Sequence, residues 1–326
     1  MRTLLPLLIV ATSVGCLDLD GFVYNPVHCS TVGPDTCEDS GRPTWDQACV
    51  PCEEEYDWAR DYDWIAGTLD DGTPDVRPVA TAVERSTITT EDGEAELDVY
   101  VLPSHGEDPL LADVTVLYNH GNYLGIEHYA PRVRFLHEAG YRVVVWDYRG
   151  FGKSTEGAPN TDQFLADAHT FLDYAEGDLG VDLSRAVVYA NSLGGIPAIE
   201  MSLDERPCAV MLEAAFTSMS AISRANSTTS FGESMFSQNR FDNIEKIADY
   251  AGPLMVLAAD EDNFFPLEDQ QALFDNAPGP KEMWIAEGAK HGIANGGVPE
   301  VGLTPYFAAM RSFLQNTAPA CVDVVR

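Results

Sequence analysis

The stretch Ala186-Val187-Val188-Tyr189-Ala190-Asn191-Ser192-Leu193-Gly194-Gly195-Ile196 decides how the rest of the chain is read. A β-branched apolar run stops at a serine set among small residues, and helix-compatible sequence follows. This is the strand–turn–helix context in which a G-x-S-x-G turn presents a serine hydroxyl at the end of a strand. The turn is so tight that side chains two residues before and two after the serine would collide, which asks for small residues at Ala190 and Gly194. Gly195 then lets the following helix approach the sheet. The competing reading is an ordinary β–α turn in which the serine caps the helix.

Outward from this stretch, short apolar runs alternate with helical spacing. The runs 114–118, 141–146, 209–212, 254–258 and 281–285 read as strands, the first of them buried. Between them Ile126, Tyr129, Ala130, Val133 and Leu136 recur at helical intervals, stopped by Gly140, and Phe164, Ala168, Phe171, Leu172 and Ala175 do the same. A further helix begins near Leu267, and Leu303, Tyr306, Phe307, Met310, Phe313 and Leu314 make a closing one. Upstream, 79–90 and 96–102 are strand-like and joined by Glu91-Asp92-Gly93-Glu94, a hairpin signal. The pattern predicts an α/β fold with a mostly parallel, eight-stranded sheet and helices on both faces. Between Phe216 and the next strand the alternation lapses, and about 217–243 is expected to form a short lid.

In open parallel sheets ligand chemistry gathers at the carboxyl ends of the strands. Ser192, Asp262 and His291 each fall just after a strand, in that order along the chain. A serine hydroxyl is a weak nucleophile at neutral pH and needs an adjacent base. His291, in Gly288-Ala289-Lys290-His291-Gly292, is the candidate base, able to take the proton and return it. Three carboxylates compete to orient it: Asp262, Asp260 and Glu213.

These segments resemble those of α/β-hydrolases over roughly residues 79–317, most nearly the branch of serine-aminopeptidase-like and depalmitoylase-like enzymes. The resemblance rests on Leu117-Tyr118-Asn119-His120-Gly121-Asn122, on Val145-Trp146-Asp147-Tyr148-Arg149-Gly150-Phe151-Gly152-Lys153-Ser154, on Asn191-Ser192-Leu193-Gly194-Gly195 and on the acid segment ending Phe265-Pro266. Ala190 departs from the usual glycine. The resemblance implies a serine hydrolase working through an acyl-enzyme, with Ser192, His291 and Asp262 as its triad, Asp262 being at the family's acid position counted back from Pro266. It also implies an oxyanion hole from the backbone N–H groups of Leu193 and Asn122. The His-Gly-Gly-Pro-Gly type loop that resembles proline iminopeptidases is absent, so the expected substrate is a small-molecule ester, with thioester, amide or peptide as alternatives. A catalytically silent binding protein on the same scaffold is the rival from another class. The reading calls for no cofactor and no metal. It leaves the oligomeric state open.

The formal net charge is −33, from 52 acidic against 19 basic residues. Such a surface repels phosphate backbones, which argues against nucleic-acid partners. The first 15 residues read as an export signal: Arg2, an apolar run over 4–10 too short to span a membrane, then Ser13-Val14-Gly15-Cys16. Small residues before a cysteine resemble a bacterial lipobox, although Ser13 stands where leucine is usual. Lipidation of Cys16 would anchor the chain to a membrane in the periplasm or at the cell surface. A plain secretory signal, the alternative, lacks its A-x-A-like site. The chain has seven cysteines. With Cys16 assigned to lipid, Cys29, Cys37, Cys49, Cys52, Cys208 and Cys321 remain as disulfide candidates in an oxidising compartment. Residues 16–60 are expected to be a small disulfide-stapled lead-in to a hydrolase domain over 61–326, with a zinc site at Cys49-x-x-Cys52 as the rival. Topology pairs one bridge: Cys208 precedes a strand and Cys321 follows a helix returning from the His291 edge, which puts both at the opposite edge.

Overall fold

The computed structural model describes residues 24, 26–31, 52–53, 55–58, 82–106, 108–204, 206–226, 241–291, 294–295, 298–299 and 302–322. Cys16, Cys37, Cys49 and the export leader lie outside the described residues, as do residues 227–240 of the expected lid.

The central sheet has eight strands: β1 (Glu84–Thr89), β2 (Glu96–Leu102), β3 (Thr115–Asn119), β4 (Arg142–Trp146), β5 (Ala186–Asn191), β6 (Ala209–Glu213), β7 (Leu254–Ala259) and β8 (Lys281–Ala286). Their order is β1-β2-β4-β3-β5-β6-β7-β8. β2 runs antiparallel to both neighbours, and every other pairing is parallel. β3, β5, β6 and β7 are buried along their whole length. Helices cover both faces of such strands, so they read as continuous apolar runs rather than as alternations.

The hairpin forms where the Glu91–Glu94 signal places it, closed by the Thr90 N–H to Ala95 carbonyl bond at 2.9 Å. β1 is shorter than the apolar pattern from 79 suggests. Its pairing starts at Glu84, opposite Val101. β2 ends one residue later at Leu102, before Pro103, which has no N–H to extend the ladder.

The helices are α1 (Ile126–Glu138), α2 (Thr161–Gly177), α3 (Gly195–Leu203), α4 (Met219–Asn226), α5 (Asn243–Lys246), α6 (Leu267–Asn276) and, after the last strand, α7 (Leu303–Asn316). They divide the core into two apolar layers, one per face of the sheet. One is built on Phe164, Phe171, Ile196 and Leu212, the other on Tyr118, Val133, Met310 and Phe313. α4 begins the 217–243 excursion. The two ends of that excursion meet in an antiparallel bridge between Ser218 and Asp242 and in the Asn243 Nδ2 to Phe216 carbonyl bond at 2.9 Å. Among the described residues no helix is long and apolar enough to cross a membrane.

Two disulfides lie among the described residues. Cys29 pairs with Cys52, with Cα atoms 5.0 Å apart. The His28 ring lies beside these sulfurs, all three within 4.8 Å of one another, but sulfurs joined to each other are not thiolate ligands for a metal. Cys208, just before β6, pairs with Cys321, which follows α7, at a Cα separation of 5.5 Å. This second bridge closes a loop spanning 113 residues and fastens the end of the sheet away from Ser192. Cross-links over long loops act chiefly by restricting the unfolded chain. Replacing both Cys208 and Cys321 with alanine is expected to lower the unfolding free energy by about 2–4 kcal/mol. Denaturant titration of the oxidised wild type beside the double variant measures this.

Candidate active site

At the carboxyl end of β5 the chain turns sharply into α3. Ser192 has φ +53°, the left-handed region that a side chain other than glycine enters at a cost of about 1–2 kcal/mol. Gly194 explains why the turn is so close. A Cβ there would lie 2.2 Å from the Asn119 carbonyl oxygen at the end of β3, so only glycine permits the approach. Asn119 in turn joins three strands. Its Nδ2 donates to the Tyr189 carbonyl at 3.2 Å, and its Oδ1 accepts from Trp146 Nε1 at 3.0 Å. Ala190, the departure from glycine, is fully buried in the strand.

Three side chains from separate loops meet in line. Ser192 Oγ is 3.1 Å from His291 Nε2, and His291 Nδ1 is 3.1 and 3.0 Å from Asp262 Oδ1 and Oδ2. The Asp262 side chain is fully buried, whereas that of His291 is 23 % exposed. Asp262 Oδ1 also accepts the backbone N–H groups of Phe264 and Phe265 at 2.8 and 2.9 Å, which fixes the carboxylate plane. A carboxylate on one ring nitrogen selects the tautomer that leaves the other free to accept a hydroxyl proton. The same two N–H bonds hold the Phe264 and Phe265 rings 4.8 and 5.3 Å from the imidazole. Phe265 is buried, but Phe264 is 42 % exposed beside His291.

The other two carboxylates have different partners. Asp260 accepts the Gly288 N–H at 2.7 Å and shapes the turn that follows β8. Glu213, at the end of β6, is fully buried and ion-paired with Arg132 of α1, with both carboxylate oxygens on one guanidinium nitrogen. It also accepts from the Tyr189 hydroxyl, and Asn191 Nδ2 is 3.4 Å away. Tyr306 of α7 closes the group through its contact with the Tyr189 hydroxyl. Burial, and then the Glu213 charge, push the Tyr189 phenol well above its ordinary pKa. The network therefore ties together the helix after the 120–125 loop, the residue before Ser192 and the helix after His291. Nothing in local spacing marks it, because Arg132 and Glu213 lie 81 residues apart.

A second buried group lies on the other side. His120, Asp147 and Glu127 are all buried, and His120 Nε2 is 3.2 Å from Asp147 Oδ1. Lys153 Nζ lies 3.6 Å from Glu127. Burial pushes the His120 imidazole down to about 4. Burial, followed by the neighbouring Asp147 charge, pushes Glu127 up to about 7. Leu193 directly follows Ser192 in a short helical turn, and Asn122 follows His120-Gly121 at the end of β3, so both expected donors belong to loops at the same sheet edge.

Comparison with known proteins agrees with this architecture. The family described as serine aminopeptidase, S33, matches residues 112–243. A Salmonella typhi protein, uncharacterized protein YfhR, is 28% identical over 257 residues, covering 74% of this chain and 85% of its own. Among solved structures, the Pyrococcus furiosus esterase Pf2001 superposes with a TM-score of 0.59 at 20% identity, covering 74% of this chain and 93% of that one. Est1E from Butyrivibrio proteoclasticus, with ferulic acid bound, gives 0.56 at 16% identity, covering 71% and 98%. The chain has the α/β-hydrolase fold, and its residues 112–243 are similar to the serine aminopeptidase, S33, family.

Glu213→Gln separates a structural carboxylate from a reacting one. Removing one partner of a buried ion pair leaves the other uncompensated, at about 3–5 kcal/mol. The variant is expected to lose stability on that scale, seen in denaturant titration. Ser192 in its folded fraction should still react with a fluorophosphonate.

Proposed function

We propose that the protein hydrolyses a carboxylic ester through an acyl-enzyme on Ser192. The observation that carries this reading is the line from the Ser192 hydroxyl through His291 to Asp262, with hydrogen-bond distances at both junctions. His291 Nε2 takes the hydroxyl proton as Oγ attacks the ester carbonyl carbon. Asp262 stabilises the resulting imidazolium and does not itself take up the proton. The tetrahedral oxyanion is met by the N–H groups of Leu193 and Asn122. As the carbon–oxygen bond to the leaving group breaks, the imidazolium passes its proton to the departing alkoxide. Water then loses a proton to His291 and attacks the acyl carbonyl, and the carboxylic acid leaves as Ser192 regains its proton.

The exposed Phe264 ring beside His291 supports an apolar acyl or aryl group on the substrate. Its backbone N–H is held by Asp262, and the ring stands exposed beside the imidazole. Esterases among the structural neighbours, one with ferulic acid bound, fit the same preference. A thioester is the nearest alternative, since its chemistry uses the same groups. The proposed setting is extracytoplasmic, with the mature chain held to a membrane by lipid on Cys16. That part rests on the leader sequence alone.

A fluorophosphonate probe tests the reaction class. Wild type is expected to label and Ser192→Ala is not; an unlabelled wild type would favour the silent binding protein. On p-nitrophenyl esters of graded acyl length, Asp262→Asn should lower kcat by about 10⁴-fold while the fold is retained. A wild type that turns over none of these esters or the matching thioesters would remove the ester reading.

A further inference from the structure

The loops after β3 and β4 close on one buried carboxylate, that of Asp147. Its Oδ1 accepts the backbone N–H of Ile126, the first residue of α1, at 2.8 Å. The same oxygen faces His120 Nε2 at 3.2 Å, while His120 Nδ1–H donates to the Gly121 carbonyl at 2.8 Å. Its Oδ2 lies against the backbone of its own loop, where the Lys153 N–H donates at 3.4 Å. Gly152, at φ +50°, makes the room: a Cβ there would come within 2.0 Å of Oδ2. Tyr148 adds a second hold, stacking on the His120 ring at 4.1 Å between centroids and donating its hydroxyl to the His120 carbonyl at 2.7 Å. From behind, the amino-terminal segment pins the loop: the Cys29 N–H donates to the Gly152 carbonyl at 2.7 Å, and the Gly152 N–H to Val27 at 3.0 Å. Between the residues gripped, His120 and Ile126, lies Asn122.

Placing a carboxylate in a fully buried site is unfavourable unless its oxygens are well used. Asp147 uses Oδ1 on the 120–126 loop and Oδ2 on its own, and the loop that Oδ1 holds carries a proposed oxyanion donor. We propose that Asp147 is a positioning residue that sets the 120–126 loop so that the Asn122 N–H meets the transition-state oxyanion. This rests on the serine-hydrolase reading above. A donor that matters only once charge has developed acts on kcat and on transition-state analogues, and leaves ground-state binding largely alone.

The test measures kcat, KM and the affinity of a trifluoromethyl ketone, whose adduct with the serine carries the oxyanion. Asp147→Ala is expected to lower kcat by about 10²-fold, the scale of losing one oxyanion donor, and to weaken ketone binding by a comparable factor with KM within about threefold. Asp147→Asn keeps an acceptor for Ile126 and should recover much of the loss. Tyr148→Phe, which removes only one hydrogen bond, should move kcat and ketone affinity the same way by a smaller factor. The Cys208/Cys321 double alanine variant controls for stability alone and should leave both constants unchanged. The proposal fails if the Asp147 variants lose activity only in proportion to unfolded protein, or if ketone affinity does not follow kcat. If Asp147→Ala does not fold, an unchanged kcat and ketone affinity in Tyr148→Phe overturns it. Fluorophosphonate labelling of wild type is read alongside. No labelling removes the serine-hydrolase reading itself, whereas a labelled wild type with unaffected Asp147 variants removes only this inference.

Discussion

The start of α3 against the end of β3 is the contact on which the carboxyl edge of the sheet depends. Gly194 lies against the Asn119 carbonyl so closely that no side chain fits between them. In the same turn Ser192, two residues earlier, takes the left-handed conformation, and its hydroxyl faces the loop that carries His291. Strain of this kind persists only where the surroundings determine it more strongly than local preference does. Here they do, because Asn119 is itself fixed by bonds to β5 and to Trp146 of β4. A buried asparagine at the end of an apolar strand thus sets three strand ends in register, and the serine is placed relative to all of them.

Two buried polar groups brace the elements around that turn from opposite sides. Glu213 and Arg132 join β6 to α1, with Tyr189 and Tyr306 bringing in β5 and α7. Asp147 and His120 join the loop after β4 to the loop after β3. Apolar packing is non-directional and tolerates small shifts, whereas buried ion pairs and hydrogen bonds lose much of their stabilisation when the geometry slips. Directional contacts placed beside the site therefore restrict it more tightly than a larger apolar core would. They do so at some expense in stability, since similar volumes of hydrocarbon would fill the space more favourably.

The strands were legible because β3, β5, β6 and β7 are buried on both faces, so apolar runs alone marked them. The convergence of Ser192, Asp262 and His291 was legible because parallel βα units send every strand's carboxyl end to one edge. Glu213 was not. A carboxylate directly after a strand looks the same in sequence whether it faces an imidazole or a guanidinium, and the deciding partner sits on a helix far upstream. Asp147 and His120 could be read as parts of motifs, but the carboxylate between their loops could not, since it depends on how two turns pack. Asn119 gave a weak signal, an amide closing an otherwise apolar strand. The pairing of Cys29 with Cys52 was likewise beyond reading from spacing, whereas the ends of β6 and α7 were enough to bring Cys208 and Cys321 together.

The cross-links and the directional contacts divide the work by position. The Cys208–Cys321 bridge sits at the amino ends of the parallel strands, away from Ser192, where its effect falls on the unfolded chain rather than on the geometry of the turn. The Cys29–Cys52 bridge is nearer the site, since Cys29 bonds the backbone of Gly152, whose lack of a side chain admits the Asp147 carboxylate. Constraint therefore reaches the 120–126 loop through a sequence of contacts: a covalent staple, a backbone pair, a glycine and a carboxylate. Each link is short-ranged and fully described by its geometry. The amino-terminal segment is consequently part of what defines the site, although none of its described residues belongs to the Ser192–His291–Asp262 line.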